Sequence, residues 1–297
     1  MYNQSPTMAE RVLVTGPDGF VGRHLRAELG ESFVPFEDDV LDSEALAGAL
    51  QAAKPDAVVH LAAQSSVGES WGGVAEVWRS NVLGTVSVIE SVRANASEAR
   101  VLFASSGDVY GRASRVPTPE DEPVAPMSPY AASKAAAELA CRQVDAVIAR
   151  SFPHIGAGQD ERFAVGSWAA QIARLRNEGG GTLQVGDLTV ERDFTDVRDV
   201  CRAYRLLLDA GTPAGTYNVA SGRAVPLRRV VDLLVELAGV PVTIERDAAR
   251  VRPAEVPRQA GDASKLRAAT GWEPEIPLER SLEDALEAAA ATRVAGP

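Results

Sequence analysis

The run Arg11-Val12-Leu13-Val14-Thr15-Gly16-Pro17-Asp18-Gly19-Phe20-Val21-Gly22 decides the fold class. Its first five residues read as a strand whose middle, Val12 to Val14, is apolar without polar alternation, as in a strand covered on both faces, and Phe20 to Leu29 carries the spacing of an amphipathic helix. Between them the glycines fall in the order G-x-x-G-x-x-G. Lacking Cβ, they permit a tight turn and let backbone approach a pyrophosphate, which then rests at the positive end of the following helix. Gly16, Gly19 and Gly22, with the backbone of Phe20 and Val21, are therefore candidate dinucleotide-binding residues.

The alternation continues outward from this turn. Strands are expected at Phe33 to Phe36, Ala57 to Leu61, Val101 to Ala104 and Ala146 to Arg150. Helices are expected at Ser43 to Ala53, as one long element within Val74 to Asn95, and from Pro129 to Val144. The pattern implies an α/β fold with a Rossmann-type, doubly wound parallel sheet. Beyond Arg150 the rhythm loosens, with helices expected at Val165 to Arg176, Val197 to Leu208, Leu227 to Ala238, Ala263 to Thr270 and Leu278 to Ala290, and strands at Thr182 to Gly186 and Thr216 to Val219. Residues 1–160, rejoined by about 195–222, are read as the cofactor domain, and 161–194 with 223–297 as a smaller α/β substrate lobe. A ligand would lie in the cleft between them.

Composition narrows the class. The net charge of -11 argues against nucleic acid or an anionic membrane as partner. No apolar run is long enough to span a bilayer, and the first ten residues lack the basic and apolar segments of an export signal, so a soluble, cytoplasmic protein is expected. Its two cysteines, Cys141 and Cys201, fall in helical patterns and are expected as reduced core thiols. No metal site is read. Only three of the 30 basic residues are lysines, so a lysine here is more often wanted as a lysine.

One of them, Lys134, stands four residues after Tyr130 on the opening turns of a helix, hence on the same face. An ammonium beside a phenol favours phenolate and would bring Tyr130 toward a pKa at which it exchanges a proton with an alcohol or carbonyl oxygen. Ser106 lies at the C-terminal end of the strand from Val101, the side on which ligands bind in such sheets, and could orient the same oxygen. Near the end of the second strand, Glu37-Asp38-Asp39-Val40 contains no basic residue. Carboxylates there suit free ribose hydroxyls and repel a 2′-phosphate, which favours NAD(H), with NADP(H) as the alternative.

These residues, with His60-Leu61-Ala62-Ala63-Gln64, Asn81-Val82-Leu83-Gly84-Thr85, Ser105-Ser106 and Val109-Tyr110-Gly111, resemble the extended short-chain dehydrogenases/reductases that act on nucleotide sugars. Ala63 to Trp71, His154 with Gly156, Gly158 and Gln159, Arg192 to Asp199, and Arg252-Pro253 resemble in particular the GDP-4-keto-6-deoxy-D-mannose reductases of that family. The resemblance implies that Ser106, Tyr130 and Lys134 are catalytic, with Lys134 also holding the nicotinamide ribose. It implies that Asp39 and Val40 contact the adenine, that Leu61, Ala62 and Ala63 line the cofactor, and that Gln64, Ser65, Ser106 and Asp108 face the substrate. Arg192 and Arg252 would hold a substrate diphosphate. Two departures stand out. Pro153 replaces the family's usual Asn, and Gly107-Asp108 stands where sugar 4,6-dehydratases carry an acid-base pair or a Ser followed by Glu.

The expected activity is reduction of the C4 carbonyl of an NDP-4-keto-6-deoxyhexose, GDP-linked in the first instance. A 4-epimerase or 4,6-dehydratase of the same family is the nearest rival, and a cofactor-sensing binding protein the more distant one. A homodimer is expected through the helix ending near Asn95 and the helix carrying Tyr130.

Overall fold

The computed structural model describes residues 9–250 and 256–294. Strands β1 (Val12–Thr15), β2 (Phe33–Phe36), β3 (Ala57–His60), β4 (Arg100–Ser106) and β5 (Ala146–Ser151) alternate with helices α1 (Phe20–Leu29), α2 (Ser43–Ala53), α3 (Val74–Trp78), α4 (Gly84–Asn95) and α5 (Pro129–Cys141). Thereafter come β6 (His154–Ile155), α6 (Ala164–Glu178), β7 (Gly181–Val185), β8 (Glu191–Asp193), β9 (Thr195–Asp196), α7 (Val197–Leu207) and β10 (Gly215–Val219). The chain continues through β11 (Ala224–Pro226), α8 (Leu227–Ala238), β12 (Val242–Arg246), β13 (Arg258–Gln259), α9 (Ser264–Thr270) and α10 (Leu278–Val294).

Six strands form one parallel sheet in the order β10-β5-β4-β3-β1-β2. The apolar runs lack polar alternation because both faces are covered. Val12 and Val14 of β1 pack with α1 and α7 residues such as Leu25 and Tyr204, while Leu13 packs on the other face with Leu46, Leu50 and Val88. A third cluster joins α6, α8 and α10 through Trp168, Leu234 and Leu282. The segment around α9 returns to the main sheet, where Leu266 and Trp272 enter its core and the Trp272 indole donates to Asp199 O at 2.9 Å.

One element departs from its expected form. The single helix foreseen within Val74 to Asn95 is broken at Arg79–Leu83, which winds as a π turn between α3 and α4. Widening the turn brings the Asn81 side chain into the interior, where it is 1% exposed. Directly after it, Gly84 lies so close to Val40 that a Cβ there would meet Val40 Cγ2 at 2.9 Å. Single-turn π insertions of this kind recur at functional sites.

Candidate functional site

The Gly16 turn joins the C-terminal end of β1 to α1. Gly16 has φ +68, and a Cβ on it would meet Ala62 N at 2.9 Å, so backbone from β1 and from beyond β3 meets there side by side. Gly19 caps α1 without a side-chain hydrogen bond, and the first turn holds no acidic residue. The first N–H groups of a helix have no intrahelical partner, so those of Phe20, Val21 and Gly22 face the loop side as donors for an anion. A Cβ at Gly19 would meet only Gly16 O, at 3.3 Å, and a side chain would otherwise grow into the open cradle. This donor set fits a pyrophosphate. Asp39 lies just past β2, exposed, with Oδ1 accepting from Leu41 N at 2.9 Å.

Leu61, Ala62 and Ala63 follow β3 and are held to β1. Leu61 N donates to Thr15 O at 3.2 Å, and Ala62 N donates to Thr15 Oγ1 at 3.3 Å. Beneath them, His60 shares hydrogen bonds with Thr15 Oγ1 through Nδ1 at 2.8 Å and with Thr85 Oγ1 through Nε2 at 3.1 Å. Burial, and secondarily the nearby Lys134 charge, lowers the His60 pKa to about 3, which leaves the ring neutral. Thr85 donates to Asn81 O at 2.6 Å. The inward Asn81 amide accepts from Gln64 N at 2.8 Å, donates to Gln64 O at 3.1 Å, and donates to Ser133 Oγ at 2.9 Å. Ser133 in turn donates to Tyr130 O at 2.7 Å. The π turn thus clamps the exposed Gln64-Ser65 segment and the start of α5 to one amide.

Proline and serine set up the start of α5. Pro129 occupies the first turn, where its missing N–H costs nothing, and Ser128 caps the helix by accepting from Ala131 N at 3.1 Å. Tyr130 is 8% exposed and lies beside Ser106. Its hydroxyl is raised well above the usual phenol range by burial and then by the Asp108 charge, the Ser106 hydroxyl opposing both. The i, i+4 spacing predicts an ammonium that draws Tyr130 the other way, and here the structure differs. Lys134 Nζ turns toward β4, donating to Ala104 O at 2.7 Å and standing 4.7 Å from the centre of the Phe103 ring. Burial brings Lys134 itself down to about 8.

Ser106 also caps the short turn that follows β4, accepting from Asp108 N at 3.1 Å. Asp108 Oδ1 accepts from Gln259 Nε2 at 2.9 Å. Gln259 lies on β13, in register with Arg192 of β8. Arg192 donates to Glu191 O at 2.8 Å. Arg252 lies outside the described residues. Gly107 packs under Phe152, whose ring carbons would stand 3.0 Å from any Cβ placed there. A cleft of about 870 Å³ between Phe194, Arg223, Asp262 and Leu278 lies elsewhere, since none of Ser106, Tyr130 and Lys134 lines it.

Ser106 and Asp108, at the C-terminal end of β4, are thus gathered with Tyr130 and Lys134 on the opening turns of α5, and Gln64 is tied to the same helix through Asn81 and Ser133. Asn81 and Gln259 carry no role in the sequence reading. Asn81 opens the motif Asn81 to Thr85, which marks it in the sequence, whereas a lone Gln beyond a proline-rich stretch gives no signal.

Known proteins resemble this chain in sequence and in fold. The model of the family described as GDP-mannose 4,6 dehydratase matches residues 26–285. The chain is 40% identical to the GDP-6-deoxy-D-mannose reductase of Pseudomonas aeruginosa, covering 93% of this chain and 95% of that protein. The solved structure of RMD from Pseudomonas aeruginosa complexed with NADPH superposes with a TM-score of 0.87 at 38% identity, covering 95% of this chain and 99% of that one. MoeE5 in complex with UDP-glucose and NAD superposes with a TM-score of 0.83 at 30% identity, with the same coverage.

Proposed function

The chain belongs to the GDP-mannose 4,6-dehydratase family of nucleotide-sugar short-chain dehydrogenases/reductases, and from that membership we propose that it reduces the C4 carbonyl of an NDP-4-keto-6-deoxyhexose, GDP-4-keto-6-deoxy-D-mannose in the first instance. The observation that carries the reading is the placing of Tyr130 and Lys134 on the first turns of α5 against the C-terminal end of β4, where Ala104 and Ser106 lie. The Tyr130 hydroxyl carries its proton at neutral pH and so has one to give. Gly107 can move no proton, and the Phe152 ring leaves little room for a larger residue there, which supports a reductase over a dehydratase.

In this mechanism Gly16, Gly19, Phe20, Val21 and Gly22 bind the pyrophosphate of a nicotinamide cofactor, Asp39 and Val40 its adenosine, and Leu61, Ala62 and Ala63 its flank. When bound, the reduced nicotinamide supplies the hydride that adds to C4. Tyr130 gives its hydroxyl proton to the developing alkoxide, and Ser106 donates a hydrogen bond that orients the same oxygen. Lys134 holds the nicotinamide ribose and supplies positive charge beside Tyr130 once the proton has left. Gln64, Ser65 and Asp108 position the sugar, and Arg192 and Arg252 hold the diphosphate. We favour NADH because the residues after β2 are acidic, although a relative is complexed with NADPH.

The substrate lobe is assigned to residues 161–194 and 223–297, with the α9 segment packed on the cofactor domain. A homodimer is proposed through α4 and α5, supported by Leu83 just before α4 and Leu139 on α5, which are 56% and 60% exposed. No helix among the described residues is long and apolar enough to cross a membrane. The buried, unpaired Cys141 and Cys201 support a cytoplasmic setting.

The test is incubation with NADH and a panel of GDP-, dTDP-, CDP- and UDP-linked 4-keto-6-deoxysugars while absorbance of the reduced cofactor is followed. Net oxidation with the GDP-linked sugar is expected. Product formed without net oxidation would instead identify an epimerase or dehydratase.

A further inference from the structure

Glu138 follows Lys134 by one helical turn and Tyr130 by two, so the three side chains share one face of α5. Its carboxylate is buried and held from two strands. Arg150 Nε donates to Oε1 at 2.9 Å and Arg150 Nη2 to Oε2 at 2.6 Å, while Ser105 Oγ donates to Oε1 at 2.6 Å. Ser105 directly precedes Ser106 and is paired in register with Arg150 across β4 and β5. The guanidinium is itself fixed, lying 4.8 Å from the centre of the Tyr110 ring, whose hydroxyl donates to Asn218 Oδ1 at 2.8 Å. Stability alone gives little reason for this arrangement, because a buried ion pair is often replaceable by apolar side chains of similar volume at no net loss.

We propose that Glu138 is a positioning residue for the reaction at Tyr130: clamped by Arg150 and Ser105, it fixes α5 on β4 and keeps a negative charge below the Lys134 ammonium. The inference rests on the reductase reading above. The groups around Lys134 leave this task to Glu138. On α5 itself lie Tyr130, which is protonated, and Cys141, whose thiol is pushed up to about 12 by burial. From β4 come the Phe103 ring and the Ala104 carbonyl, from β3 the neutral His60, and from β5 Arg150 behind the Glu138 carboxylate. Burial lowers Lys134 to about 8, with Cys141 and Glu138 opposing. Since the thiol is uncharged at neutral pH, the Glu138 carboxylate one turn along α5 is the remaining group that raises Lys134.

The experiment measures kcat and KM of the full chain from about pH 6 to about pH 10, across the expected Lys134 transition. Glu138→Gln is expected to lower kcat on the order of tenfold, to leave KM for the sugar within about threefold, and to move the basic limb by roughly one pH unit toward acid. Glu138→Asp keeps the charge on a shorter arm, so its basic limb should stay in place while kcat falls. If Glu138→Gln does not fold because Arg150 is left unpaired, Glu138→Met combined with Arg150→Met removes both charges and replaces the first variant for kcat alone, since the two losses cancel at Lys134. Should neither fold, Glu138→Asp decides. A folded variant without the Glu138 charge that keeps wild-type kcat and an unmoved limb overturns the proposal, as does full kcat in Glu138→Asp. Tyr130→Phe, assayed alongside, separates the two readings. Full turnover in that variant sinks the reductase assignment itself, whereas an inactive Tyr130→Phe beside unaffected Glu138 variants sinks only this inference.

Discussion

Gln259 Nε2 donates to Asp108 Oδ1 at 2.9 Å across 151 residues of chain. The contact ties the strand in register with Arg192 to the turn that presents Ser106. A hydrogen bond to a charged group contributes about 1.5 to 3 kcal/mol, so Gln259→Leu should lower kcat/KM for the sugar on the order of tenfold to a hundredfold. Steady-state kinetics checks this, and cofactor affinity should be unchanged because the Gly16 turn is untouched.

Tyr130→Phe removes the hydroxyl proposed as proton donor and little else. Turnover should fall roughly 10²- to 10⁴-fold while cofactor binding, followed by calorimetry, stays near wild type. Turnover within a few-fold of wild type would remove Tyr130 from the mechanism.

His60 gives the fold an acid limit. Its pKa is about 3 in the folded chain against 6.5 for a free imidazole, so the unfolded chain binds more protons between these pH values. Stability is therefore present above about pH 6.5 and is lost progressively as pH falls toward 3, by an amount on the order of 5 kcal/mol in full. Urea midpoints at neutral pH and near pH 4.5 should differ, and His60→Asn should narrow the difference. An equal pH dependence in the variant would show that other groups cause it.

Arg192→Ala and Arg252→Ala test the diphosphate assignment. Each should raise KM and lower kcat/KM on the order of tenfold to a hundredfold, with nucleoside-diphosphate binding weakened in calorimetry. Wild-type affinity in both variants would make the two arginines structural.

Leu139→Arg places a charge on the exposed face of α5. If α4 and α5 form the dimer interface, light scattering at micromolar concentration should show the wild-type chain as a dimer and the variant as a monomer. A monomeric wild-type chain would refute the assembly.

The sheet and its glycine turn were legible because their signals are local and repeated. Val12 to Val14 and Ala57 to Val59 are apolar without interruption, and α1, α2 and α8 end at Gly30, Lys54 and Gly239, positions that the sequence marks with glycine or a following proline. The shortest strands were not legible. Glu191–Asp193 reads as a charged loop, and Arg258–Gln259 has too few residues to show any period. The π turn was missed because its residues continue a helical pattern, and only the packing of Gly84 on Val40 and the inward Asn81 reveal it. At the site, residue types were readable but electrostatics was not. The spacing of Tyr130 and Lys134 says that they share a face, yet the ammonium is engaged by Ala104 O while burial and Asp108 govern the phenol.

The hydrogen bonds around His60 also have a sense of travel. Thr85 gives its own hydroxyl proton to Asn81 O, so toward the imidazole it offers only lone pairs, and Nε2 must carry the ring proton. Nδ1 then accepts from Thr15, whose oxygen accepts from Ala62 N. The chain of donors runs one way, from β1 to the π turn, with no member free to turn around. Thr15→Ser should preserve that polarity, whereas Thr15→Val would strip Nδ1 of its donor. Because the imidazole stays neutral until about pH 3, this wire is mute to acid wherever the enzyme works. The response of the rate to pH is thereby left to groups other than this imidazole.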